Sequence, residues 1–216
     1  NDEEFLVQNV RLVVGRDAGT DEDYHQQIQL IKLLFHLPPP ECVGDLWLER
    51  FSPYYTRPEE YGVTITRPGE AYSYVYDSED IDLFRIAYDF EFTTKNEIDP
   101  GLKKELFDTA EEWKRRHQSD ELPYLIFTKS MNFVTVYDER SIGNPNKNCF
   151  EGSPAWTIVF CNESPKTMDQ IKKHVQELGA EEGAAEKGVL QLEKMGILYG
   201  EKGKYLTLAL PHNANL

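Results

Sequence analysis

The stretch Thr167–Ala209, TMDQIKKHVQELGAEEGAAEKGVLQLEKMGILYGEKGKYLTLA, carries the clearest structural pattern in the chain. Two sets of apolar residues at helical spacing predict two successive helices: Met168, Ile171, Val175 and Leu178, then Ala185, Val189, Leu192 and Met195. Gly196 is suited to end the second helix. Ile197–Tyr199 and Tyr205–Ala209 flank a Gly200–Gly203 turn, and this arrangement predicts a β-hairpin.

A further helix is predicted just upstream, because Ser153 and Pro154 are suited to start a short helix through Trp156 and Phe160. The order helix, helix, helix and hairpin predicts a C-terminal winged helix. Binding to nucleic acid needs clustered Lys and Arg, whereas residues 165–216 carry 7 basic and 7 acidic residues. We therefore predict a winged helix that binds a protein or peptide and does not bind DNA.

The first fifty residues predict a strand, a helix and a second strand. Val7–Val14 is apolar and β-branched, and Thr20 with Asp23 resembles a capping box. Apolar residues then recur on one face of a helix that three prolines stop: Tyr24, Ile28, Ile31 and Phe35, followed by Pro38, Pro39 and Pro40. Asp45–Phe51 predicts the second strand, and this crossover is the unit of parallel α/β sheets and barrels.

The middle of the chain predicts fewer regular elements. Ser52–Tyr76 is tyrosine-rich and is predicted to be irregular, and Ser78 is expected to cap a helix through Ile81, Phe84 and Tyr88. Asp99 and Pro100 are expected to start a helix with one apolar side: Leu102, Leu106, Ala110, Trp113 and His117. Leu122–Thr128 and Phe133–Asp138 predict a hairpin. The expected domains are residues 1–76, a helical linker 77–120, and residues 121–216.

Charge and cysteine content exclude several classes of protein. The chain has 216 residues, 23 basic and 38 acidic, with a net charge of −15, which argues against binding to nucleic acid or an anionic membrane. Residues 1–100 hold 8 basic and 21 acidic residues, hence −13. The 3 cysteines favour a reducing compartment, and we expect a cytoplasmic protein. Because the chain starts at Asn1 without a signal peptide, we expect it to be the tail of a longer protein.

No motif in the sequence assigns catalytic chemistry. Cys42, Cys149 and Cys161 lack the spacing of zinc or iron–sulfur ligands, and the histidines form no His-x-x-x-His pair. There is no Gly-x-Ser-x-Gly, phosphate loop or Gly-x-Gly-x-x-Gly. Catalytic residues therefore stay unassigned, and no metal site is predicted.

The tyrosine-rich segment Arg50–Val63, RFSPYYTRPEEYGV, is the most distinctive patch. It combines amphipathic rings with two arginines at the end of a predicted strand. If the strand belongs to a parallel barrel, the segment lies at the rim where such folds keep their active sites. The alternative is an aromatic plug between two domains. The candidate substrate-binding residues are Arg50, Tyr54, Tyr55 and Tyr61.

The same segment carries a resemblance to a known family. Arg50–Tyr55 and Pro58–Gly62, with several shorter matches, resemble the cobalamin-dependent radical SAM enzymes that mature ribosomally synthesised, post-translationally modified peptides. The shorter matches are the Tyr24–Pro40 helix, Arg67-Pro68, Ala71-Tyr72, Val75-Tyr76, Leu83–Phe90, Tyr137–Arg140 and the run from Leu192 to Pro211. The resemblance implies the end of a radical SAM-type barrel, an α+β linker and a winged helix.

The resemblance also implies a function for a longer parent protein. That parent would methylate carbons of a precursor peptide with S-adenosylmethionine, a [4Fe–4S] cluster and cobalamin, and this chain would handle the peptide. The sequence departs from the family at two points, since it lacks Cys-x-x-x-Cys-x-x-Cys and carries Gly15–Thr20 in place of a Gly-Phe-Pro-Gly-Glu-like turn. We therefore expect this chain to bind none of these cofactors and to be inactive alone. A stand-alone, non-catalytic peptide-binding module is the alternative, and a DNA-binding regulator is the least favoured.

Overall fold

The computed structural model describes residues 11–14, 20–76, 80–95, 98–141 and 143–212, and the chain divides into two compact units. Unit 1 is formed by residues up to Ile31 and by Pro39–Lys114, and unit 2 by Lys32–Pro38 and Arg115–Leu216. The fold is mixed α/β with small sheets. The described residues contain no closed barrel.

The predicted strand–helix–strand order is found in unit 1, although the second strand lies earlier in the chain than predicted. Strands β1 (Arg11–Val14) and β2 (Cys42–Asp45) pair in parallel, and helix α1 (Asp21–Leu33) connects them. The Thr20 amide donates to Asp23 Oδ2 at 2.7 Å, and the Asp23 amide donates to Thr20 Oγ1 at 3.4 Å, so the predicted capping box starts the helix. The predicted apolar face is buried: Tyr24, Ile28, Ile31 and Phe35. Residues 7–10 and 15–19 lie outside the described residues.

A three-stranded antiparallel sheet forms the rest of unit 1, in the order β3 (Leu48–Glu49), β5 (Asp89–Thr94), β4 (Val63–Pro68). The single strand predicted over Asp45–Phe51 is wrong, because β2 ends at Asp45 and β3 pairs in another sheet. The irregular conformation predicted for residues 52–76 is also wrong. The segment forms four elements: α2 (Pro53–Thr56), a 3₁₀ helix (Pro58–Tyr61), β4, and α3 (Ala71–Val75). Strand β4 depends on pairing with the distant β5, which local sequence does not encode.

Two helices of unit 1 begin at aspartate caps. Helix α4 (Leu83–Ile86) is one turn long, and its cap Asp82 accepts from the Phe84 amide at 3.0 Å. The predicted cap Ser78 lies outside the described residues. Helix α5 (Pro100–Arg116) is confirmed, since Asp99 Oδ1 accepts from the Leu102 amide at 2.9 Å. Its predicted apolar side is buried: Leu102, Leu106, Ala110 and Trp113.

Unit 2 contains a four-stranded sheet. The predicted hairpin is confirmed as β6 (Leu125–Lys129) and β7 (Phe133–Asp138), and β8 (Asn146–Glu151) adds antiparallel to β7. Strand β8 is not predicted from the sequence, because its residues NKNCFE show little apolar alternation. The short strand β12 (Leu210–Pro211) pairs with β6 in parallel.

The remaining elements of unit 2 follow the predicted order. They are α6 (Gly152–Phe160), β9 (Lys166–Thr167), α7 (Met168–Glu177), α8 (Ala184–Lys194), β10 (Leu198–Glu201) and β11 (Lys204–Thr207). The last two strands form the expected hairpin, and β9 pairs with β11, so the sheet order is β10-β11-β9. Helix α7 begins with a capping box between Thr167 and Gln170. The buried core draws on both sheets and all three helices, for example Val136, Ile158, Ile171, Leu192 and Leu198.

A buried ion pair joins three segments of unit 2. Arg140 donates from Nε to Asp138 Oδ1 at 2.9 Å and from Nη2 to Asp138 Oδ2 at 2.6 Å. Its Nη1 donates to the carbonyls of Leu33 at 3.1 Å and Gly196 at 2.8 Å. Gly196 has φ +64°, a conformation that residues with a Cβ rarely adopt, so glycine is favoured there. We call this the Asp138–Arg140 pair.

Candidate functional site

Arg50 follows strand β3 and braces the end of helix α4. Its Nε donates to the Ala87 carbonyl at 2.6 Å, its Nη2 donates to the Phe84 carbonyl, and its amide donates to the Tyr88 carbonyl at 2.5 Å. The last carbonyls of a helix lack partners within the helix, so Arg50 satisfies groups that would otherwise need water. The half-buried guanidinium therefore connects β3 to the segment that runs into β5.

Aromatic rings surround the same guanidinium. Arg50 Cζ lies 5.4 Å from the Tyr55 ring centroid and 5.1 Å from that of Phe90, and these two rings are 4.8 Å apart. Arg50 Nη1 also donates to the Tyr55 hydroxyl at 3.3 Å. Cation–π contacts of this kind stabilise a partly desolvated arginine. The structure thus brings together two of the four candidate residues, Arg50 and Tyr55.

The other two candidates meet at the neighbouring turn. The rings of Tyr54 and Tyr61 lie 4.8 Å apart, and Arg57 Nη1 pairs with Glu60 Oε2 at 2.9 Å beside the Tyr61 ring. Tyr54, Tyr55 and Tyr61 all pack against a small buried core of Leu48, Val63, Ala87 and Phe90. The predicted site residues are therefore half-buried, and the three tyrosines pack against the core of unit 1.

Phe51 is the conspicuous residue of this region, and the sequence analysis did not single it out. Its φ is +71°, in the left-handed region that favours glycine, and its side chain is 77% exposed. Holding a bulky residue in this region costs on the order of 1–3 kcal/mol, and such strain concentrates at functional sites. The bracing of Arg50 on one side and the Ser52 cap of α2 on the other hold the backbone in place.

Phe51 belongs to a group of exposed apolar side chains that we call the aromatic surface, formed by Phe51, Phe84, Ile86 and Tyr88. Arg50 links them, because its own groups bond to the Phe84, Ala87 and Tyr88 carbonyls. The Tyr88 amide donates to the Tyr72 hydroxyl at 2.9 Å, and Tyr72 stacks on the exposed Tyr76. Exposed apolar side chains whose backbones are linked in this way are candidate contacts for a partner. A sequence signal existed, since Leu83–Tyr88 is apolar except for Arg85 and is too short for a stable amphipathic helix.

A cleft of about 410 Å³ lies elsewhere in unit 1, and we call it the Trp47 cleft. The exposed Trp47 ring and Phe92 line it together with three carboxylates, Glu70, Asp89 and Glu91. Glu91 pairs with Arg67 Nε at 2.7 Å, and Glu70 accepts from the Tyr74 hydroxyl at 2.7 Å. The cleft combines an aromatic wall with negative charge.

Unit 2 has a groove of about 330 Å³ between the β6–β7 turn and helices α6 and α7, here called the unit 2 groove. Its apolar lining includes the fully exposed Met131, with Phe133, Trp156 and Leu178. The ring of His174, which also lines it, stacks on Phe160 at 4.0 Å. A side chain of a partner would fit this volume.

Helix α8 has mixed charge. Glu186 pairs with Lys172 of α7 at 2.8 Å, an interaction that lowers the pKa of Glu186, and Lys187 and Lys194 lie on the same helix as Leu190, which is 69% exposed. A helix that enters a DNA groove needs a surplus of cations on its exposed face. The charge of α8 is therefore unlike that of a DNA-reading helix.

The described residues hold no cluster of three or more metal-ligating side chains. Burial raises the pKa of Cys161 to about 12, so its thiol is a core group and a poor thiolate ligand. Cys149 is exposed on β8 and is also a free thiol. In the part of the chain that is described, none of the helices has the length and apolar character to cross a membrane.

The chain matches no family model, no curated protein and no solved structure. Its function is therefore inferred from the geometry of these surfaces.

Proposed function

We propose that this chain binds a peptide on the aromatic surface of unit 1 and presents it to a catalytic partner or domain. The observation that carries the proposal is Phe51, a non-glycine residue with a positive φ whose ring is turned into solvent. A strained backbone that exposes an aromatic ring is unfavourable for folding alone. A role in binding accounts for both features.

The candidate residues Arg50, Tyr54, Tyr55 and Tyr61 act in this proposal mainly as supports. Arg50 holds Phe51, Phe84 and Tyr88 together through backbone contacts, while the tyrosines fill the core beneath. Because these groups are held before the partner arrives, binding loses little conformational entropy. Exposed aromatic anchors on a rigid base are typical of binding hot spots.

For unit 2 we propose a winged helix that contacts protein and not DNA. The order α6, β9, α7, α8, β10, β11 and the sheet order β10-β11-β9 support this assignment. The mixed charge of α8 argues against nucleic acid as the partner. The unit 2 groove favours a second candidate function, a stand-alone module that binds its peptide there.

The catalytic context rests on the resemblance alone. We propose that the chain is the substrate-handling part of a cytoplasmic radical SAM enzyme that methylates a precursor peptide, with β1, α1 and β2 as the end of its barrel. The residues present do not fit an iron–sulfur cluster, since Cys161 is buried with a raised pKa and Cys149 stands on an exposed strand.

The proposal is tested with the full chain and synthetic peptides of about 15 residues, which span roughly 50 Å when extended. Leu, Phe and Tyr alternate in them with Lys, Gln or Glu, and binding is measured by fluorescence anisotropy. We expect Phe51→Ser with Phe84→Ser to weaken binding by about tenfold or more.

Leu190→Ser is the matched control, because it removes an apolar side chain of unit 2 whose exposure lies between those of Phe51 and Phe84. Leu178→Ser tests the second candidate. Loss of binding in Leu178→Ser with unchanged binding in the Phe51 and Phe84 variant would transfer the function to the unit 2 groove. If no peptide of the set binds, the proposal is wrong.

A further inference from the structure

The aromatic surface is bordered by carboxylates. Glu49 precedes Arg50 on β3, Asp82 caps α4, and Asp80 lies two residues earlier; all three are exposed. Glu49 is two residues from Phe51 in sequence, and Asp82 accepts from the Phe84 amide at 3.0 Å, so negative charge accompanies the exposed rings. On this basis, and resting on the proposed function, we propose that the peptide bound by the aromatic surface carries Lys or Arg between its apolar side chains.

The arginines of this region offset only half of its negative charge. The described residues between 47 and 91 include eight carboxylates and four arginines. Arg50 is bound to backbone carbonyls, Arg57 to Glu60, and Arg67 to Glu91. Arg85 on α4, exposed between Phe84 and Ile86, is the remaining one, so residues 47–91 as a whole keep four more carboxylates than arginines.

Exposed rings add a second reason for a cationic partner. A Lys or Arg side chain can lay its apolar stem along Phe51, Phe84 or Tyr88 while its charged end reaches Glu49 or Asp82. A cation over an aromatic face is attracted by the ring quadrupole, which a neutral or anionic side chain does not exploit. Unit 1 repeats the combination in the Trp47 cleft, where an exposed indole adjoins carboxylates.

A negatively charged partner is disfavoured by the charge of the first hundred residues. Residues 1–100 carry 21 acidic and 8 basic residues, so a polyanion such as nucleic acid or an anionic membrane would be repelled at long range. A basic peptide would instead be attracted before contact, which raises its association rate at low salt. The negative charge therefore favours a basic peptide, and the exposed rings provide the apolar area that it contacts.

The test compares three peptides that share their Leu, Phe and Tyr positions and differ only in having Lys, Gln or Glu between them. Anisotropy is measured with the full chain in about 0.02 M and about 0.5 M NaCl, where the Debye lengths are roughly 20 Å and 4 Å. We expect affinity in the order Lys, Gln, Glu, with about tenfold or more between Lys and Glu at low salt and a smaller ratio at high salt.

Substitutions locate the effect. Glu49→Gln with Asp82→Asn removes two charges, and asparagine still caps α4, so the fold is preserved. This variant should lose most of the preference for Lys over Gln, whereas Glu201→Gln on the unit 2 hairpin should keep it.

The outcomes separate this inference from the proposed function. Equal affinity for the three peptides overturns the cationic preference and leaves peptide binding standing. No binding by any peptide overturns both. Sedimentation that shows a dimer of this chain, converted to monomer by Phe51→Ser, also overturns both, because a second copy would then occupy the surface.

Discussion

At the residue scale, Phe51 offers a way to distinguish the proposed binding role from a role in folding. Its positive φ raises the free energy of the folded chain, yet its ring makes little use of the core, since most of it is exposed. Lys202, in the β10–β11 turn, has φ +50° and provides a comparison within the same chain. The two residues share the strain, but only Phe51 belongs to the aromatic surface.

Phe51→Gly should therefore change stability and binding in opposite directions. Glycine adopts a positive φ without steric conflict, so the free energy of unfolding should rise by about 0.5–1 kcal/mol, after allowance for the more flexible unfolded chain. Peptide affinity should fall, because the ring is gone. Urea unfolding and the anisotropy assay measure the two effects.

Lys202→Gly is the control, and it should raise stability by a similar amount without changing peptide affinity. A Phe51→Gly chain that binds peptide as tightly as the parent would show that the strain serves no binding role.

At the scale of elements, the Asp138–Arg140 pair connects the end of β7 to the α1 terminus and to the turn between α8 and β10. Arg140 is itself contacted, since Arg116 Nη1 donates to its carbonyl. Burial by itself would raise the pKa of Asp138, but the hydrogen bonds and charge of Arg140 hold that pKa below its usual value. The carboxylate is thus ionised and paired in the folded chain.

Asp138→Asn should destabilise the chain strongly, because it leaves a largely buried guanidinium without its counter-charge. Removing one partner of such a pair costs about 3 kcal/mol. Asp108→Asn is the matched control, since Asp108 pairs with Lys104 on the exposed face of α5 at 2.5 Å and should contribute less than about 0.5 kcal/mol. Equal effects in urea unfolding would contradict the connecting role of the Asp138–Arg140 pair.

At the scale of the whole molecule, the stability of the chain should depend on pH through His36. Burial lowers the pKa of this imidazole, although the Leu208 carbonyl, which accepts from Nε2 at 2.9 Å, acts in the opposite direction. The folded chain therefore favours neutral His36, while in the unfolded chain it titrates near 6.5. Its contribution to stability is complete above pH 6.5 and is lost as the pH falls toward the lowered folded pKa.

His36→Gln should remove this part of the pH dependence, because the Gln amide can still donate to the Leu208 carbonyl but does not titrate. Urea unfolding at several pH values below 7 measures it. His212→Gln, at an exposed position, should leave the dependence intact. The stability that the ionised Asp138 contributes is lost only at lower pH, below 3.8, so this effect can be separated from that of His36. A parent chain whose stability is flat between pH 7 and 5 would contradict the assignment.

Part of the fold was predictable from local sequence. The capping pairs Thr20–Asp23 and Thr167–Gln170 and the cap Asp99 act within one turn, so helices α1, α5 and α7 could be located. The hairpins β6–β7 and β10–β11 also depend on nearby residues. Strand β4 could not be predicted, since it is stabilised by hydrogen bonds to β5, which lies farther along the chain. Strand β8 could not be predicted, since its polar residues show no apolar pattern.

The candidate site stays a prediction, and the structure adds only where its residues lie. The aromatic and arginine content of residues 50–63 pointed to a segment beside the proposed aromatic surface, and the candidates Arg50, Tyr54, Tyr55 and Tyr61 are half-buried. The exposed residues Phe84 and Tyr88 had been expected on the face of a longer helix. Their exposure depends on where α4 ends and on the carbonyls that Arg50 binds.

Helix periodicity, capping and composition are local properties, so the first strand and helix of the crossover, the order of helices and hairpin in unit 2, and the negative charge of the first hundred residues could be read from the chain alone. Which aromatic rings are core and which face solvent could be learned only from the folded structure. That choice follows from long-range pairing of β3, β4 and β5 and from one arginine whose donors reach residues 34 and 37 positions away. Burial is a property of the assembled chain, and no short stretch of sequence encodes it.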